Sequence, residues 1–107
     1  MQRDRALHHL ASIRREIEHL TALEATWFGE DFLPDDRIGY RAEWANALDR
    51  FSVVAEAYAG RTLDPETATE LIDVARLIVA FGPVLDRMQL RQPSPNDLRR
   101  LGILSAA

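Results

Sequence analysis

The chain has 107 residues and a net charge of −4, with 47% hydrophobic residues, 28% charged residues and no cysteine. This is one domain's worth of chain with one modest core, and it excludes a disulfide framework, a cysteine-type zinc site and a thiol nucleophile. All 13 basic residues are arginine, which reads as a coding bias more than as selection of guanidinium forks for one site, and the negative balance argues against a dedicated nucleic-acid binder.

The opening stretch "MQRDRALHHL" has no apolar signal core. The longest apolar run, Leu77 to Phe81, is too short to cross a bilayer. A cytoplasmic protein with no membrane association is therefore expected.

The first segment, residues 3–28, carries Leu7, Leu10, Ile13, Ile17, Leu20 and Trp27 at steps of three, four and seven, the stripe of an amphipathic helix. It also holds Glu16 and His19 at i, i+3, the spacing with which carboxylate-bridged bundles ligate metal. Such a site needs a second pair. Glu43 and Glu56 are available, but no other Glu-x-x-His exists, so a metal-binding bundle is only an alternative, and no metal or cofactor is expected. His8, His9 and His19 read as partly exposed polar residues.

The stretch "WFGEDFLPDD", Trp27 to Asp36, places three aromatics among four carboxylates. Its carboxylates are split by Phe32, Leu33 and Pro34, so it does not present the alternating ligands of a calcium loop. It reads as a helix corner: Gly29 ends the first helix, Pro34 blocks continuation, and Asp35 or Asp36 caps the next. The other reading is a docking surface on Trp27, Phe28 and Phe32, suited to an arginine-rich partner or a second subunit.

In the second segment, residues 37–59, Tyr40, Trp44, Ala47, Leu48, Phe51, Val54, Ala55 and Tyr58 recur at i, i+3, i+4. Gly60 stands where a left-handed residue closes a helix. The third segment, residues 65–89, starts on Asp64 as N-cap, Pro65 at the first helical position and Glu66 in the first turn. Leu71, Val74, Ala75, Ile78, Phe81 and Leu85 form its main face. Leu77, Val84 and Met88 widen that face, and Ile72 and Val79 lie on another side. Such breadth requires cover on more than one side, from a central position in the bundle or from a second chain. Gly82–Pro83 predicts a kink. A last helix, residues 95–101, is expected to be capped by Ser94, with Asp97 at the third position of a capping box, and to end at Gly102.

No segment alternates as a strand does. The expectation is an all-α antiparallel three-helix bundle with a short fourth helix at its C-terminal end, forming one domain over residues 1–107.

No catalytic set appears. There is no glycine-rich phosphate loop, no nucleophile elbow and no metalloprotease His pair, and Ser12, Ser52, Ser94 and Ser105 have no suggestive local histidine. The leading expectation is a non-enzymatic interaction or regulatory module binding another protein through Trp27, Phe28, Phe32, Ile72 and Val79, with a twofold homodimer as the default self-association. The alternative is a nucleic-acid-associated subunit. Arg87, Arg91, Arg99 and Arg100, joined by Arg3, Arg5, Arg14 and Arg15, would form a stripe along a phosphate backbone, although helix-dipole compensation also accounts for the C-terminal cluster.

Overall fold

Proline at the first or second position opens four of the five helices among the described residues. There its missing N–H costs no helical hydrogen bond and its fixed φ favours the first turn. The computed structural model describes residues 1–103; Ser105 and the rest of the expected domain, residues 104–107, lie outside the described residues. The helices are α1 (Arg3–Leu23), α2 (Pro34–Ala59), α3 (Pro65–Ala80), α4 (Gly82–Arg87) and α5 (Pro95–Arg100), with a 3₁₀ turn over Glu24–Thr26. No strand occurs among the described residues, and none of their helices is long and apolar enough to cross a membrane.

The fold is an all-helical bundle in which α1 packs on both α2 and α3, and α5 lies against α2. The helix shared by both neighbours is α1, not the broad-faced α3. Its stripe of Ala6, Leu10, Ile13 and Leu20 is buried between Trp44, Ala47, Leu48, Phe51, Val54 and Ala55 of α2 and Leu71, Val74, Ala75 and Ile78 of α3. The buried alanines carry only a Cβ at these contacts, which lets the helix axes approach closely.

Several boundaries differ from the sequence expectation. α1 stops at Leu23, not Phe28: Trp27 N–H donates to Glu24 O and Gly29 N–H to Thr26 O, so i→i+3 bonds tighten the chain out of the α-helix. Pro34 does not block a helix but opens one. α2 begins there, three residues earlier than expected, with Leu33 as an N-cap that makes no side-chain bond. Asp35 and Asp36 therefore sit in the first turn, where their charge meets the positive end of the helix dipole. Gly60 is not the left-handed residue after α2. Its φ is −80°, and Arg61 takes φ +60°. Arg61 N–H then donates to Tyr58 O and Thr62 N–H to Ala57 O, closing the Schellman pattern one residue later.

Other signals were read correctly. Asp64 caps α3, its carboxylate accepting from Thr67 N–H at 3.3 Å and Thr67 Oγ1 at 2.5 Å. These bonds, the hydroxyl's first, hold its pKa below the ordinary aspartate value. The third helix breaks at Phe81, between α3 and α4, beside Gly82–Pro83. Gly102 ends α5 at φ +71°. The capping box expected at α5 is not formed: Ser94 precedes the helix but makes no side-chain cap, and Asp97 turns inward. Asp97 is buried, accepting from Ser52 Oγ at 3.2 Å and Arg100 Nη1 at 3.0 Å.

Two indoles direct the connector between α4 and α5. Trp27 Nε1 donates to Met88 O at 3.1 Å, and Trp44 Nε1 donates to Arg91 O at 2.7 Å. Between these carbonyls, Gln89 adopts φ +57°. Chain that would otherwise bury unpaired carbonyls is thus held by donors from the α1–α2 corner and from α2.

Candidate interaction surface

The α1–α2 corner is built from the inside out. Trp27 is fully buried, and its ring centroid lies 5.2 Å from Phe32 and 6.1 Å from Tyr40. Phe32 and Tyr40 are partly buried against the same core, 5.9 Å apart. Arg37 closes the turn: Nε donates to Trp27 O at 2.7 Å, and the guanidinium carbon stands 5.7 Å from the Phe32 ring centroid, within cation–π range. The two readings of "WFGEDFLPDD" therefore divide by residue. Trp27 is core and presents no surface, Phe32 is mostly engaged, and only Phe28 among the three aromatics is open.

What the corner does expose is apolar side chains among acids. Phe28 is 63% exposed, Leu33 60% and Ile38 60%. Glu30, Asp31, Asp35 and Asp36, interleaved with them in sequence, are also exposed, and the cation in this stretch, Arg37, is turned onto the corner's own carbonyls. Leu33 and Ile38 were missed as surface candidates. The signal for Ile38 was present, since carrying the Tyr40–Trp44 stripe back one turn puts residue 37, not 38, on the inner face.

The two residues proposed on the third segment separate as well. Ile72 is partly buried against the core, whereas Val79, seven residues on along the same side, is 43% exposed; Leu77, 40% exposed, lies on the other flank of α3.

A polar seam runs beside the α1–α2 core. His9, Ser12, Glu16 and His19 share a stripe of α1 opposite Glu43 and Arg50 of α2, and Arg50 Nη2 donates to Ser12 Oγ at 3.3 Å. Glu16 Oε1, His9 Nδ1 and Arg50 Nε are buried without a hydrogen-bond partner. Burial, then the neighbouring Glu43 charge, pushes the Glu16 pKa up against the opposing pull of His19 and Arg50. Burial, then Arg5, Arg50 and His8, pushes His9 down. His19 stands edge-on to Tyr40 at 5.2 Å. The structure thus brings Glu16, His19 and Glu43 into one neighbourhood, but no group of three or more metal-ligating side chains among the described residues is arranged to hold an ion.

The seam carries a signed pH prediction. A raised folded-state carboxylate pKa costs nothing below about pH 4.3, where both states are protonated, and costs most once the folded group ionises. Glu16→Gln should therefore leave stability unchanged near pH 4 and raise it by roughly 1 kcal/mol or less at neutral pH. His9 acts on the other side: its lowered pKa withdraws stability as pH falls below about 6.5. Thermal unfolding of wild type, Glu16→Gln and His9→Gln from pH 4 to 8 measures both. A Glu16→Gln gain that is constant across that range would contradict the seam.

The C-terminal arginines are mostly engaged. Arg87 binds Glu24 through Nε at 3.1 Å and Nη2 at 2.5 Å, Arg91 reaches Asp49 at 3.4 Å, and Arg100 holds Asp97. Arg99 is exposed with no carboxylate partner among the described residues. Arg3 pairs with Glu66, and Arg14 with Glu70 at 2.6 Å. Pairing to the chain's own carboxylates discharges much of the expected stripe. Of the serines considered as nucleophiles, Ser12 and Ser52 bond Arg50 and Asp97. No protein-family model, curated protein or solved structure matches the chain.

Proposed function

We propose that the protein is a non-catalytic interaction module whose α1–α2 corner docks a basic, partly apolar segment of another protein. One observation carries the reading: Phe28, Leu33 and Ile38 are each at least 60% exposed amid four carboxylates whose nearest cation in sequence is turned inward. Desolvating large apolar side chains supplies affinity, and the surrounding acids select a positive partner and speed its encounter. The rigid Trp27–Phe32–Tyr40 cluster beneath keeps the ordering cost low.

A photo-crosslinker placed at Phe28 and used in the native host tests this. The expected adduct is a segment rich in Arg or Lys with interspersed apolar residues. Adduct yield should fall at least tenfold when Leu33→Asp and Ile38→Asp are added, and should fall with rising salt. An acidic partner, or a yield equal to that of a crosslinker on the solvent face at Glu18, would end the proposal.

A second reading has its own support. Val79 stays exposed on α3, on the same side as the partly buried Ile72, and a twofold dimer would cover that side. Light scattering at high concentration decides it: a strict monomer removes this reading. The nucleic-acid alternative draws less support, because Arg87, Arg91 and Arg100 are already paired.

A further inference from the structure

A cavity of about 510 Å³ opens where α2 ends, lined by Tyr58, Ala59, Arg61, Leu63, Ala68 and Arg100. Its lining combines two arginines, a tyrosine and three apolar residues. We propose that it binds a small organic oxyanion, with a carboxylate or phosphate head between Arg61 and Arg100 and an apolar body against Tyr58, Leu63 and the two alanines.

Three features support the assignment. First, Arg61 holds a left-handed backbone at φ +60°, while the preceding Gly60 uses an ordinary φ of −80°. A non-glycine residue is strained there, and such strain concentrates at binding sites. The chain places its glycine one position short of where the backbone calls for it and puts a guanidinium at the strained position.

Second, Arg100 is aimed, not free to wander. Its Nη1 is held at 3.0 Å by Asp97, a buried carboxylate also bonded by Ser52. Arg61 has no carboxylate partner among the described residues. After Asp97 offsets Arg100, one positive charge remains for a ligand. The fork of a guanidinium matches an oxyanion through paired hydrogen bonds.

Third, the carbonyl ends of α2 and α5, which would repel an anion, are capped. Glu56 O accepts from Gly60 N–H, Ala57 O from Thr62 N–H and Thr62 Oγ1, and Tyr58 O from Arg61 N–H. At α5, Asp97 O, Leu98 O and Arg99 O accept from Leu101, Ile103 and Gly102 N–H. Three of the last four carbonyls of each helix are thus spent within the backbone, which leaves Ala59 O and Arg100 O.

The strain makes a discriminating variant available. Arg61→Gly removes the guanidinium and relieves the left-handed residue, so it should raise the melting temperature by roughly 3–8 °C while removing the ligand contact. Phenyl phosphate and benzoate, titrated at constant ionic strength against chloride and followed by amide chemical shifts, are the probes. For wild type, at least one should bind with a Kd of about millimolar or tighter, with shifts centred on residues 58–63 and 97–101. The tighter probe names the head group. Arg61→Gly should weaken it at least tenfold. Arg61→Asn, which also tolerates a left-handed backbone, should do the same if the glycine variant folds poorly. Neither probe binding better than chloride, or equal binding by both variants, overturns the proposal.

Discussion

Trp27→Ala is expected to destabilise the fold by about 3–5 kcal/mol, the range for truncating a fully buried large aromatic. The ring fills the space beneath the α1–α2 corner, against Phe32 and Tyr40, and its indole nitrogen holds Met88 O. Truncation leaves a cavity and an unpaired buried carbonyl together. Trp27→Phe separates the two effects: most of the apolar volume stays, the donor goes, and the cost should drop to about 1–3 kcal/mol. Its sequence neighbour is the control. Phe28 is mostly in solvent, so Phe28→Ala should change stability by no more than about 0.5 kcal/mol while weakening any partner bound at the corner. Urea unfolding followed by far-ultraviolet circular dichroism compares the three. Equal losses for Trp27→Ala and Phe28→Ala would mean that the corner is not packed as described.

Asp97→Ala should cost about 1–3 kcal/mol, a large effect for one residue of a six-residue helix. Its Oδ1 gathers Ser52 Oγ and Arg100 Nη1, tying α5 to the outer side of α2. The loss should fall short of that for a wholly buried ion pair, because the Arg100 side chain is 35% exposed and can rehydrate once released. Asp97→Asn, which keeps an acceptor but not the charge, should recover part of the loss. A double-mutant cycle with Ser52→Ala should return a coupling of at least about 0.5 kcal/mol. Thermal unfolding supplies all four corners of the cycle, and strict additivity would remove the shared hydrogen bond from the account.

Both effects depend on contacts that span the chain, and this marks how far the sequence could be read. The period of the apolar residues identified the inner faces of α1, α2 and α3, because burial selects side chains every three to four positions whatever lies opposite. Asp64 with Pro65, and Gly82 with Pro83, located a helix start and a break, because their effect on backbone bonding is complete within a few residues.

At the corner the local signals were ambiguous. A proline after an apolar pair stops one helix or starts the next with equal chemistry. Pro34 opens α2 only because the turn from Glu24 onward tucks Trp27 beneath the corner and Arg37 returns to the Trp27 carbonyl. Gly60 and Arg61 show the same limit: closure falls one residue late, with a cost in strain that no propensity scale would choose. Nor could composition tell Trp27 from Phe28, adjacent aromatics that end at opposite extremes of exposure.

The arginines make the last contrast. As residue types they announced positive charge. Whether that charge was available to a partner depended on carboxylates up to 63 residues away, such as Glu24 for Arg87. Sequence alone determined a helical chain with three apolar faces, two sharp punctuation points and no recognised catalytic set, because those properties are local or periodic. Only the tertiary structure decided which aromatics are covered, which guanidiniums are spent internally and where Arg61 and Arg100 face one cavity, because burial and charge pairing depend on what the fold brings opposite each side chain.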